Sequence, residues 1–210
     1  MNFLIACDQK YYNDWGHELL RSIQYRNPWL HLHCHIVNPS NEKKELTYVD
    51  YTTEKKEFDS ESNRLGYLQA VRFLAVSDKF NDEDLVITTD ADTICTRSVD
   101  PTEYEDVCKS VNVLTHQKHG DWLCGLLSYG TGSFKKDYAS ALRETPVENW
   151  LVGHDQKVLP RLAQEHNFKV LSRDWMSIGK HRNSSVFYTL KGNDRNNKYF
   201  LASYETFLIK

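Results

Sequence analysis

No stretch of the chain approaches the roughly 20 apolar residues that cross a bilayer, and no basic segment leads into an apolar run at the N-terminus. These absences speak against a membrane span and a secretory leader, and the expected location is the cytoplasm. No CxxC pair exists. The five cysteines, Cys7, Cys34, Cys95, Cys108 and Cys124, are odd in number, widely spaced and mostly set in apolar runs, as suits reduced thiols rather than a disulfide framework. Nor does one sign of charge dominate: 26 basic and 29 acidic residues are intermixed for a formal net charge of −3, which offers none of the basic field that nucleic acids require. Repeats, low-complexity tracts and interdomain linkers are missing too.

What remains is the composition of an ordinary globular protein, 210 residues with 40% hydrophobic and 26% charged side chains. A chain of this length buries roughly 70–75% of its unfolded surface, so one domain over residues 1–210 is expected. Asn2 to Cys7 is an apolar run stopped by Asp8 and reads as a buried strand. A helix capped by Asn13 or Asp14 follows, with Trp15, Leu19, Leu20 and Ile23 at helical spacing before Asn27-Pro28 ends it. Leu30 to Val37 is a second strand, and a third lies within Glu45 to Thr52. Ser60 caps a helix whose apolar stripe is Tyr67, Ala70, Val71, Leu74 and Ala75, closing near Asp78.

Leu85 to Thr89 then reads as a buried central strand. Farther on, Val111 to Thr115 and Leu123 to Tyr129 look like strands, and Gly153 to His166 like a helix carrying Pro160. Phe168 to Leu171 and Val186 to Leu190 look like short strands. Strands alternating with helices predict an α/β fold, a mostly parallel central sheet flanked by helices on both faces.

The most informative segment follows the central strand: Asp90-Ala91-Asp92. With 16 aspartates in the chain the spacing alone means little, and Asp82-Glu83-Asp84 is a decoy with the same spacing. Placement separates them. Ligands of open α/β sheets bind outside the carboxyl ends of the strands, where only the later pair lies. Two carboxylates there suit a hard cation, Mn²⁺ or Mg²⁺, that also takes phosphate oxygens. A haloacid-dehalogenase-type phosphatase, with Asp90 as nucleophile, is the alternative for a strand ending in Asp-x-Asp.

With these residues in view, the sequence resembles the GT-A glycosyltransferases, and more closely the family of glycogenin and the bacterial lipopolysaccharide glucosyl- and galactosyltransferases (family 8-like), in the form of a minimal phage-encoded or bacterial member. The resemblance implies a Rossmann-like GT-A sheet with a small antiparallel element near the active site. It implies a UDP-sugar donor, glucose or galactose, and a hydroxyl acceptor on a glycan, lipid-linked sugar or protein. By resemblance Asp8 and Tyr11 contact uracil. Arg72, with Arg64 as a second candidate, meets the donor diphosphate, and Asp90, Ala91 and Asp92 carry the metal motif. Tyr129-Gly130-Thr131-Gly132 resembles the family's Asn-Ser-Gly turn, so Gly132 is expected against the donor sugar. Asp155 and Gln156 resemble its Asp-Gln element, with Asp155 on the sugar hydroxyls and Gln156 beside the anomeric carbon.

Leu190-Lys191-Gly192 with Lys198 is similar to the closing His-x-x-Gly-x-x-Lys segment, which places Gly192 and Lys198 on the diphosphate. Thr189 stands where that segment has His, so His181 is the candidate third metal ligand. The resemblance favours retention of configuration; inversion would call on Asp155 or Asp121 as base. A nucleotidyltransferase and a non-catalytic UDP- or glycan-binding relative are further alternatives. His31, His33 and His35 alternate on one strand face, yet Leu32, Cys34 and Ile36 turned to the core account for that pattern without zinc. Trp122, Trp150 and Trp175 all read first as core, and Trp122 is the one kept as a candidate acceptor or donor contact.

Overall fold

Strand β1 (Asn2–Asp8) has apolar residues on both of its faces: Phe3, Ile5 and Cys7 enter one core and Leu4 and Ala6 another. Such a strand belongs inside a sheet covered twice, and the computed structural model places it there. The structure describes residues 1–40, 46–115, 122–178 and 184–189.

After β1 the chain turns at once into helix α1 (Gln9–Tyr11), a π-helical stretch Tyr12–Gly16 and helix α2 (His17–Arg26). The cap is Asp8, whose extended backbone lets its carboxylate accept the Tyr11 N–H, so Asn13 and Asp14 lie inside the helical stretch rather than at its start. Strands β2 (His31–Val37) and β3 (Val49–Glu54) pair in parallel on one side of β1. Helix α3 (Glu61–Lys79), capped by Ser60, carries the chain back over the sheet to β4 (Val86–Thr89) on the other side of β1.

The acidic turn follows, then the short strand β5 (Thr93–Cys95) and α4 (Pro101–Cys108), which Asp100 caps and Pro101 opens. Strands β6 (Val111–Thr115) and β7 (Trp122–Tyr129) pair antiparallel, and β7 also runs against β4. Helix α5 (Phe134–Arg143) comes next. The segment expected as one helix at Gly153 to His166 is two, α6 (His154–Lys157) and α7 (Leu159–Glu165), because Pro160 can open a helix but not continue one. Strands β8 (Lys169–Val170), β9 (Met176–Ile178) and β10 (Phe187–Thr189) complete the described elements.

The large sheet has the order β3-β2-β1-β4-β7-β6-β8, with β7 alone reversed; β5, β10 and β9 form a second sheet. Leu19, Leu20 and Ile23 of α2 with Tyr104 and Cys108 of α4 pack on one face of the large sheet. Val71 and Phe73 of α3 with Phe134, Tyr138 and Leu142 of α5 pack on the other. Each fully buried side chain of this size contributes about 1.5–3 kcal/mol by leaving water, and a one-residue slip of β1 would exchange the two sets. The consequence for function lies in the strand order. Successive connections run outward from β1 to β3, then return to β4, so the carboxyl ends of β1 and β4 flank a topological switch point, the usual ligand crevice of such sheets.

Candidate active site

Asp8 ends β1 and Asp90 follows β4, so the two strands bring these residues to the same crevice. Asp8 has two bonds there: one oxygen accepts the Tyr11 N–H at 2.7 Å, and the other accepts Arg64 Nη1 from the first turn of α3. Arg64 also reaches Glu61. Both carboxylates hold its guanidinium further above its ordinary pKa, Glu61 the more strongly, so it remains charged. Beside this network lies a cavity of about 220 Å³ lined by Asp8, Val37, Asn38, Phe58, Arg64 and Leu68 among others. That is smaller than the roughly 300–1,000 Å³ of full ligand sites, so it fits one end of a ligand. The Asn38 amide is tied to both backbone groups of Lys56, and the other polar residues of the lining are Asp8, Gln9, Lys10 and Arg64.

Two turns farther along α3, Arg72 is 4% exposed. Its Nη1 donates to Asp90 Oδ1, and its Nη2 lies 3.9 Å from Asp155 Oδ2. Helical spacing explains the reach, since residues 64, 68 and 72 share one side of α3 facing the crevice. Asp155 sits in the first turn of α6, 2% exposed, with its carbonyl accepting the Tyr138 hydroxyl at 2.8 Å. The loop that presents it is fastened to α3 by Asn63 Nδ2 on Val147 O and Trp150 O and by the Gly153 N–H on Gln69 Oε1. Gln156 is the next residue of α6 and is half-buried.

The acidic turn is held from several sides. Asp92 is 3% exposed, its Oδ2 accepts the Tyr11 hydroxyl at 2.9 Å, and its carbonyl accepts Thr189 Oγ1 at 2.9 Å. Thr189 therefore lies beside the acidic pair and uses its hydroxyl on backbone. Ala91 is buried between the two aspartates. Asp90 and Asp92 are the carboxylates that could hold a divalent cation; among the described residues no cluster of three or more His, Cys, Asp or Glu is arranged for one. Two carboxylates with phosphate oxygens are a donor set that suits Mg²⁺ or Mn²⁺. His181, Gly192, Lys198 and Asp121 lie outside the described residues, as does the side chain of Trp122.

Gly132 falls elsewhere. Because β7 runs antiparallel to β4, the turn after Tyr129 emerges at the amino end of β4, where the Gly132 N–H donates to Asp82 O at 3.0 Å. Lys135, buried and with its pKa lowered by that burial, donates to the Asp82 and Gly130 carbonyls, and Lys136 pairs with Asp82. The decoy pair and the glycine turn thus share the end of the sheet away from Asp90. The glycine that does meet the acidic turn is Gly125, whose carbonyl accepts Thr89 Oγ1 at 2.6 Å and the Asp90 N–H at 3.2 Å. Its signal was a glycine inside an apolar strand, which often marks a close backbone approach.

Other expectations resolve as packing. Trp150 and Trp175 are buried, and Leu32, Cys34 and Ile36 face the core while His33 packs edge-on against Phe80. No protein-family model matches the chain, and no curated protein sequence does. Two solved structures of the galactosyltransferase LgtC are similar to it. The first, a complex with donor and acceptor sugar analogs, has a TM-score of 0.69 and 12% identity and covers 99% of this chain and 94% of its own. The second, an active-site mutant, has a TM-score of 0.67 and 11% identity, with 98% and 94% covered. The chain thus has the fold of the galactosyltransferase LgtC, the GT-A fold that its motifs resemble.

Proposed function

We propose that this chain is a single-domain, metal-dependent hexosyltransferase that moves glucose or galactose from a UDP-sugar to a hydroxyl acceptor with retention of configuration. The observation that supports it most is the convergence of Asp8, Arg72, Asp90, Asp92 and Asp155 on the switch-point crevice of a sheet shared with a galactosyltransferase. The cavity beside Asp8 takes the nucleoside, and the diphosphate extends toward Asp90 and Asp92. A bound Mn²⁺ or Mg²⁺ at those two carboxylates would supply positive charge to the departing diphosphate. Arg72 orients Asp90 and balances Asp155 in a part of the site with little water, where aimed charges act most strongly. In this reading Gly192 and Lys198 meet the diphosphate, on the resemblance of their segment alone.

Asp155 supports retention. A carboxylate 2% exposed and paired with a guanidinium is poorly placed to take a proton from an incoming hydroxyl, so a neutral Gln156 beside the anomeric carbon fits better than an Asp155 base. The same logic disfavours the phosphatase, whose nucleophile Asp90 is held by Arg72. Among the described residues no helix is long and apolar enough to cross a membrane. Cys7, Cys34, Cys95 and Cys108 are free thiols, which fits the cytoplasm as the proposed compartment.

The test is UDP release from UDP-glucose and UDP-galactose, with Mn²⁺ or with chelator, and with the anomer of the freed hexose followed by NMR. Expected is Mn²⁺-dependent release from at least one donor with the α-anomer formed first, falling on the order of a hundred- to thousand-fold in Asp92→Ala. No release from either donor, with phosphate freed from small phosphoesters instead, would overturn the proposal in favour of the phosphatase.

A further inference from the structure

We infer that Tyr11 is a positioning residue for the Asp92 carboxylate, joining the nucleoside end of the donor site to its cation end through one residue, its N–H on Asp8 and its hydroxyl on Asp92. The inference rests on the donor-site reading above and extends it. Tyr11 belongs to the turn that leaves β1, where its N–H is bound to Asp8 Oδ1. Its hydroxyl crosses the switch point to donate to Asp92 Oδ2 at 2.9 Å, between residues 81 positions apart. A carboxylate only 3% exposed needs hydrogen bonds in place of lost water. A bond from a fixed phenol also sets the plane of the carboxylate and hence the direction from which a cation can meet it, as groups behind metal ligands commonly do.

Thr189 fixes the backbone of the same residue through its carbonyl. Arg72 performs the corresponding service for Asp90. The two carboxylates are therefore aimed by groups from different elements, Asp90 from α3 and Asp92 from α1. Both elements also bear on the cavity beside Asp8, α1 through Gln9 and Lys10 and α3 through Arg64 and Leu68, and in α1 the bond to Asp8 and the bond to Asp92 come from the same residue. Tyr11 is thus placed to make the cation site depend on the geometry of the nucleoside site.

Tyr11→Phe keeps the ring and deletes only the hydroxyl. Mn²⁺ binding to the full chain is read from the EPR signal of the free ion, for wild type, Tyr11→Phe and Asp92→Asn, with and without UDP. Uridine binding is measured by calorimetry without metal. The Mn²⁺ dissociation constant should rise about ten-fold in Tyr11→Phe, a larger change than any in uridine affinity, with the melting midpoint lowered by a few degrees through the lost bond to a buried carboxylate. Unchanged Mn²⁺ affinity in Tyr11→Phe, alongside loss in Asp92→Asn, overturns the inference and leaves the donor-site reading standing. An equal loss of uridine affinity also overturns it, because the substitution would then have disturbed α1 as a whole. Wild-type protein that binds no Mn²⁺ even with UDP removes the metal reading itself.

Discussion

Arg72 is where stability and chemistry meet, because its guanidinium lies between one half-exposed carboxylate and one buried one. Removing one member of a buried ion pair leaves an uncompensated charge and typically costs about 3–5 kcal/mol. Arg72→Leu should therefore lower the stability of the fold by about 3 kcal/mol in urea unfolding. Mn²⁺ should restore part of that loss in this variant by drawing Asp90 away from Asp155. A variant as stable as wild type would show that Asp155 is satisfied by other groups. His33 supplies the pH dependence. Burial in the first place, and Lys79 in the second, lower its pKa from the ordinary 6.5 to about 4, against a smaller opposing effect of Asp50. The unfolded chain thus takes up this proton first as the solution is acidified. Stability from this group is complete above about pH 6.5 and falls by up to about 3 kcal/mol as the pH drops to 4. His33→Gln should flatten that part of the curve of urea midpoint against pH, and an unaltered slope would assign it to other groups.

Helix α3 and the loop at residues 147–153 form the element pair on which the site depends, and Gly66 is their contact point. A Cβ there would meet the Leu151 carbonyl carbon and oxygen at 2.7 Å. Backbone cannot swing aside as a side chain can, so Gly66→Ala should cost about 1–3 kcal/mol. It should also move Asp155 off Arg72, seen as a fall in turnover beyond what the urea midpoint explains. Elements of this kind were readable where one physical pattern ran long enough. The all-apolar β1, the period of α3 with its Ser60 cap, and the apolar β4 before Asp90 each fix a face or an end. β5 and β9 have three residues each, too few to show a period, and β5 finds its partner far along the chain, whereas the apolar run at Val186 to Leu190 does mark β10. The direction of β7 was also hidden, since an apolar run is the same read either way. The resemblance of its turn puts Gly132 at the sugar, whereas the antiparallel strand carries it to Asp82. Asp100-Pro101 is a legible start for α4 by its cap and proline, while the helix itself shows little apolar periodicity to mark its length.

At the scale of the whole molecule the chain has two ends with different work. The carboxyl ends of β1 and β4 gather the groups of the proposed donor site, while the amino end of β4 holds the decoy Asp82 and Asp84 in ordinary contacts with Lys136 and the Asn81 N–H. Both pairs have the same spacing in sequence, so only topology tells them apart, and ligand binding can test that difference. A ligand bound to the native state alone, at a hundred times its dissociation constant, adds about 2.7 kcal/mol. For a protein of this size that raises the melting midpoint by roughly 5–10 °C. UDP and Mn²⁺ together should give such a rise, UDP with chelator a much smaller one, and GDP with Mn²⁺ little. Asp84→Asn keeps an oxygen that accepts the Asn81 N–H and should melt close to wild type, and it should keep the full rise because its place at the amino end of β4 is away from Asp90 and Asp92. Asp92→Ala should lose the rise. If Asp84→Asn lost it and Asp92→Ala kept it, the ligand would be bound at the amino end of the sheet. The switch point between β1 and β4 would then be no guide to where this molecule works.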